Sequence, residues 1–81
     1  MQIRISTPDQ TIFTGEADSL VVEAEKGQLE ILPMHASLVT VVRPGPVRVR
    51  QGGATKSFQL GEGVLRIHDD HVVILASRIT N

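Results

Sequence analysis

The chain contains no cysteine, tryptophan or tyrosine, and only two phenylalanines, Phe13 and Phe58. Without cysteine there are neither disulfides nor thiolate metal ligands. That excludes a disulfide-stapled secreted mini-protein and fits an intracellular location. With so few rings the core has to be aliphatic, so close packing of Val, Ile and Leu must replace large aromatic surfaces. Charge of one sign is also lacking: eight Lys plus Arg stand against nine Asp plus Glu, a formal net charge of -1. No long-range field therefore attracts nucleic acid or an anionic membrane. No apolar run approaches the roughly 18 residues of a membrane-spanning helix, and residues 1–10, MQIRISTPDQ, lack the apolar core and cleavage site of a signal peptide. Direct membrane insertion is not expected, and any membrane association would come through a protein partner.

What is present is aliphatic alternation. Apolar residues make up 41% of 81 positions, enough for one core, although a chain of this size buries only roughly 60% of its unfolded surface. One domain over residues 1–81 follows, with little room for a deep cleft. Apolar residues recur at every second position, and Gly, Pro, Asn and Asp interrupt them every roughly eight to twelve residues, the spacing of a sandwich or barrel. Ile3 and Ile5 alternate with Gln2, Arg4 and Ser6 until Thr7-Pro8-Asp9 ends that strand. Further strands are expected over residues 11–14, 18–24, 28–32 and 38–42, with a bend at Gly15 and a turn at Glu25-Lys26-Gly27. In the second of these, Leu20 and Val22 should face one way and Val21 the other. Arg43-Pro44-Gly45-Pro46 forces a corner. Val47 and Val49 then alternate with Arg48 and Arg50, and Gln51-Gly52-Gly53 leads into residues 54–60 as a hairpin. Residues 62–68 and 71–77 make a second hairpin with Asp69-Asp70 at its tip. No segment has helical periodicity. The expected fold is all-β: a flattened sandwich or barrel of about ten short, mostly antiparallel strands.

Residue types that carry chemistry are sparse. His68-Asp69-Asp70-His71 offers imidazole and carboxylate together, and with His35 it supports a small metal-binding protein as an alternative reading. The aspartates, however, fall at a hairpin tip and the histidines at strand ends, where solvent is the usual partner, so no metal site is assigned. Ser37 lies two residues from His35, yet nothing like a nucleophile elbow surrounds it. The glycines at 52, 53, 61 and 63 precede no helix and so build no phosphate loop. Arg43, Arg48 and Arg50 lack the interleaved aromatics of a single-strand binder and read as a solvated sheet face. No cofactor and no catalytic residue is assigned.

The segment Gly27-Gln28-Leu29-Glu30-Ile31-Leu32-Pro33-Met34-His35-Ala36-Ser37-Leu38-Val39-Thr40, followed by Arg43-Pro44-Gly45 and Val47-Arg48-Val49-Arg50, resembles one family. The amino-terminal domain of the F-type ATP synthase epsilon subunit, called delta in mitochondria, runs Gly-Glu-Leu-Gly-Ile-aromatic or Leu-Pro-Gly-His-Ala-Pro-Leu-Leu-Thr. Lys-Pro-Gly and a strand of alternating aliphatic and basic residues follow. Ile12-Phe13-Thr14-Gly15-Glu16-Ala17 and Leu60-Gly61-Glu62-Gly63-Val64-Leu65 are similar to two further family segments, so the resemblance spans nearly the whole chain. Gln28 and Glu30 depart from the pattern's acidic residue and glycine, Met34 from the glycine before histidine, and Ser37 from a proline.

The resemblance implies a non-catalytic central-stalk subunit that links the gamma shaft to the polar loops of the membrane rotor ring, and through gamma acts indirectly on the catalytic head. It implies peripheral attachment at the cytoplasmic face of a bacterial plasma membrane. It also implies that the helical hairpin which follows this domain in the family is absent here, so that hairpin's inhibitory and nucleotide-binding roles are not carried over. The residues expected at the gamma or ring interface are Gln28, Leu29, Glu30, His35, Leu38 and Thr40. Gln28 and Glu30 would face the ring, while His35, Leu38 and Thr40 would lie near gamma or support that surface. An unrelated β-sandwich adaptor is the other alternative.

Overall fold

A computed structural model describes residues 1–80, and all of their regular structure is strand. In chain order the strands are β1 (Gln2–Ser6), β2 (Thr11–Glu16), β3 (Ser19–Ala24), β4 (Gly27–Ile31), β5 (Leu38–Val42), β6 (Gly45–Gln51), β7 (Ala54–Leu60), β8 (Gly63–His68), β9 (His71–Ala76) and β10 (Ile79–Thr80). They form one ten-stranded sheet folded on itself. One layer has the order β4-β3-β6-β7-β10 and the other β5-β8-β9-β1-β2, and a single bridge, Ala24 with Val42, joins them. All pairings are antiparallel except that of β1 with β9.

Alternation decides what lies between the layers. Leu20, Val22, Ile31, Val47 and Val49 from the first layer meet Ile3, Ile5, Val42, Leu65, Ile67, Val72 and Ile74 from the second, and all are buried. Val21 faces outward between Leu20 and Val22, as period two requires. Among the described residues no polar or charged residue is buried, so hydrophobic burial and the strand ladders hold this fold together.

The turns follow their side chains. Gly27 (φ 123) and Gly52 (φ 61) occupy the left-handed half of φ space that glycine enters without a Cβ clash. Asp69 (φ 51) and Asp70 (φ 59) both do so at the tip of the β8–β9 hairpin, the signature of a two-residue type I′ turn. Three local expectations are corrected. Gly15 does not bend the chain: it pairs with Ile3 inside β2, and the turn comes at Ala17 and Asp18. The corner after β5 is only Arg43-Pro44, since Gly45 and Pro46 already belong to β6 and pair with β7. Residues 79 and 80 add a strand, β10, along β7, too short to carry a period of its own.

Backbone approach fixes Gly63. A Cβ there would overlap the Leu75 carbonyl oxygen and lie 2.8 Å from Ala76 Cα, because β8 presses its first residue against β9.

Candidate docking surface

The expected interface residues fall in three places. Gln28 and Glu30 alternate outward on β4, while Leu29 between them turns inward and packs half-buried against the core. On β5 the inward residues are Leu38 and Thr40, opposite Ile67 and Leu65 of β8. Because β4 and β5 are the first strands of their layers, their edges flank one open side of the sandwich. Gln28, Leu29, Leu38 and Thr40 thus come together, with the Glu25-Lys26-Gly27 turn, around a groove of about 310 Å³. Glu30 is outside it, across from Val21 on the outer face. His35 is separate again, in the β4–β5 connection.

That connection is a turn built by Pro33 and closed by the His35 amide donating to the Leu32 carbonyl at 3.2 Å. Its third residue needs a positive φ, and Met34 supplies it at 67°. Met34 thus adopts a conformation that costs a side-chain-bearing residue about 1–2 kcal/mol. Asp70 holds it there: the Met34 amide donates to Asp70 Oδ1 at 2.8 Å. The thioether gains no burial in return, since Met34 is 81% exposed. His35 Nδ1 lies 2.7 Å from the Ala36 carbonyl oxygen, so the imidazole braces its own loop.

The histidine and aspartate cluster is likewise occupied locally. His68 and His71 are cross-strand partners at the base of the hairpin, and His71 Nδ1 lies 2.7 Å from the Asp69 carbonyl oxygen. Among the described residues no group of three or more His, Asp or Glu converges as ligands would.

A feature that alternation alone did not single out lies on the outer face of the second layer. Val41, Val64 and Leu75 are cross-strand neighbours and are 48%, 49% and 48% exposed. In the next row Val39, at 67% exposure, neighbours Arg66, which neighbours the half-buried Val73 and then Arg4. The result is a stripe of aliphatic side chains with two guanidinium groups set into it. The outer face of the first layer differs: Glu30, Val21, Arg48 and Ser57 form one row, Ser19, Arg50 and Thr55 another. A signal for the stripe was available. LVTVV in β5 and VVIL in β9 interrupt the polar half of the alternation, which in an antiparallel sheet means that both faces of those strands need cover.

Against known families, residues 1–81 match the model described as ATP synthase, Delta/Epsilon chain, beta-sandwich domain. The chain belongs to this family. Among curated members, ATP synthase epsilon chains from Parasynechococcus marenigrum and Hydrogenovibrio crunogenus are 37% and 40% identical over 78 and 76 residues. These alignments take in 96% and 94% of this chain but 57% and 53% of those relatives, so the chain spans just over half their length. Solved structures similar in fold come from the Tetrahymena thermophila mitochondrial ATP synthase central stalk and c-ring (TM-score 0.85, 16% identity, 99% of this chain and 65% of that one). A second, from the Euglena gracilis mitochondrial ATP synthase, has a TM-score of 0.89 at 20% identity, covering 96% of this chain and 51% of its match. Within the delta/epsilon family, then, this chain has the ten-stranded β-sandwich.

Proposed function

We propose that the chain is the epsilon-type subunit of the central stalk of an F-type ATP synthase, a non-catalytic rotor part that couples ion flow through the membrane ring to ATP synthesis. It does so by binding the gamma shaft on one side and the polar loops of the ring on another, peripheral to the cytoplasmic face of a bacterial plasma membrane. The observation that carries this reading is the aliphatic stripe of Val39, Val41, Val64 and Leu75. An apolar patch set in an otherwise polar surface is what a small protein keeps for a partner, and its flanking arginines, Arg4 and Arg66, call for carboxylates opposite. Gamma is assigned to this face. Gln28 and Glu30, polar and exposed on β4, are assigned to the ring loops. A packed sandwich suits the task because its interior resists shear, so torque passes through it without loss of register.

The test is association with the cognate gamma subunit. The purified chain is expected to form a stoichiometric complex at micromolar concentration or below, and to hydrolyse no ATP alone. No association at that concentration would contradict the reading. Membranes lacking the chain are expected to hydrolyse ATP with impaired proton pumping, and unchanged pumping per ATP would contradict the coupling role.

A further inference from the structure

The two open sides of the sandwich are treated very differently. On one, Phe13 and Phe58 pack with centroids 5.9 Å apart, and Lys56, which shares the inward side of β7 with Phe58, sits 5.5 Å from the Phe13 ring. The edges there are blunted: β10 has two residues, the β1–β2 register shifts between Ile5 and Ser6, and Lys56 points inward. These are devices by which sheets avoid pairing with other chains. On the other side β5 reads Leu38-Val39-Thr40-Val41-Val42, without charge, proline or register shift. Such a strand, joined to β3 only through the Ala24–Val42 bridge at its end on the side away from β8, is a template for an added strand.

Its backbone shows which groups are free. The Arg43 amide donates to the Glu23 carbonyl at 2.8 Å, on the side of β5 away from β8. Backbone groups alternate sides along an antiparallel strand, so the amides and carbonyls of Val41 and Val39 point to that same side. Among the described residues no backbone bond from another strand reaches the amide of either. The groove floor beside them is Leu38, Thr40 and Leu29, and its mouth carries Glu25 and Lys26, with Glu23 nearby. Those two carboxylates outnumber the one ammonium, and among the described residues neither is in an ion pair.

We infer that β5 is completed in the assembled protein by an extended strand from the shaft partner, hydrogen-bonded to Val39 and Val41. The strand's side chains are small and aliphatic where they face Leu38 and Thr40, and it carries a Lys or Arg toward Glu23 and Glu25. This rests on the proposed gamma docking and adds the mode of recognition. Main-chain bonds supply affinity, and the groove and its carboxylates supply choice of partner.

The experiment uses the full chain and its purified cognate gamma subunit. Proline is tolerated on an edge strand where its missing N–H faced solvent, so Val39→Pro removes the free donor and spares the β5–β8 ladder. Val39→Ala controls for the lost side chain. Val39→Pro is expected to weaken the complex about tenfold or more beyond Val39→Ala. Independently of either variant, hydrogen exchange of the Val39 and Val41 amides in the wild-type chain is expected to slow at least about tenfold on binding gamma. A wild-type complex that forms with both amides exchanging as in the free chain would overturn strand addition while leaving gamma docking intact. Equal affinities of the Pro and Ala variants would do the same. Protection of these amides by self-association in the absence of gamma would overturn the choice of occupant, and failure of the wild-type chain to bind gamma would overturn both readings.

Discussion

The two outer faces of this sandwich are built from the same kind of strand and differ in what they present to water. On the first layer, outward positions hold Gln28, Glu30, Ser19, Arg48, Arg50, Thr55 and Ser57, with Val21 half-buried among them. On the second, Val39, Val41, Val64 and Leu75 lie side by side, with Arg66 and Arg4 in the row that Val39 begins. Burial on the inner faces is alike, so core demands do not explain the difference. An antiparallel layer normally keeps one wet face. The second layer gives up part of its wet face, and the reading that follows is that a partner covers it.

The strongest way to break the comparison is to place charge in the stripe. Val64→Glu combined with Leu75→Glu is expected to weaken the gamma complex about 100-fold or more in calorimetric titration, because apolar anchors at a desolvated centre dominate binding energy. The melting temperature should move little, since both side chains are exposed. The matched double change on the other face, Arg48→Glu with Ser57→Glu, should alter the affinity less than about threefold. Equal losses from the two pairs would remove the distinction between the faces.

A second test asks whether the faces depend on one shared interior. Gly63→Ala forces a methyl group into the β9 backbone beside the stripe, and is expected to destabilise the fold by about 3 kcal/mol or more in urea titration. Exposed substitutions on either face should stay within about 0.5 kcal/mol. The smallest effect concerns the end of the second layer. Met34→Gly relieves the left-handed strain and is expected to raise stability by about 0.5–1 kcal/mol. For a chain of this length that is a rise of roughly 2–8 °C in Tm. A decrease would mean that the Met34 side chain makes a compensating contact.

Much of this architecture was legible in the sequence. Period-two alternation placed the bodies of nine strands, and it placed Leu20 and Val22 inside with Val21 outside. The Asp69-Asp70 and Gly52-Gly53 turns follow from residues that accept positive φ. β10 was not legible because two residues carry no period. Gly15 misled because glycine in a strand reads as a bend, whereas here its small size suits a position where a Cβ would come within 3.0 Å of the Gln51 side-chain amide. Of the candidate residues, Gln28, Leu29, Leu38 and Thr40 meet at one groove even though eight residues separate Leu29 from Leu38 in sequence, a proximity set by β4 and β5 standing at the same side of the two layers. The stripe was missed for a different reason. Outward valines are ordinary strand formers, and nothing in a single strand tells that three neighbours from distant segments will align.

Oxidative footprinting of side chains in the free chain and in its complex with gamma tests the central claim most directly. Val39, Val41, Val64 and Leu75 are expected to lose reactivity together on binding, while Arg48, Arg50 and Ser57 keep theirs. Protection of the β6–β7 face with the stripe still reactive would contradict it.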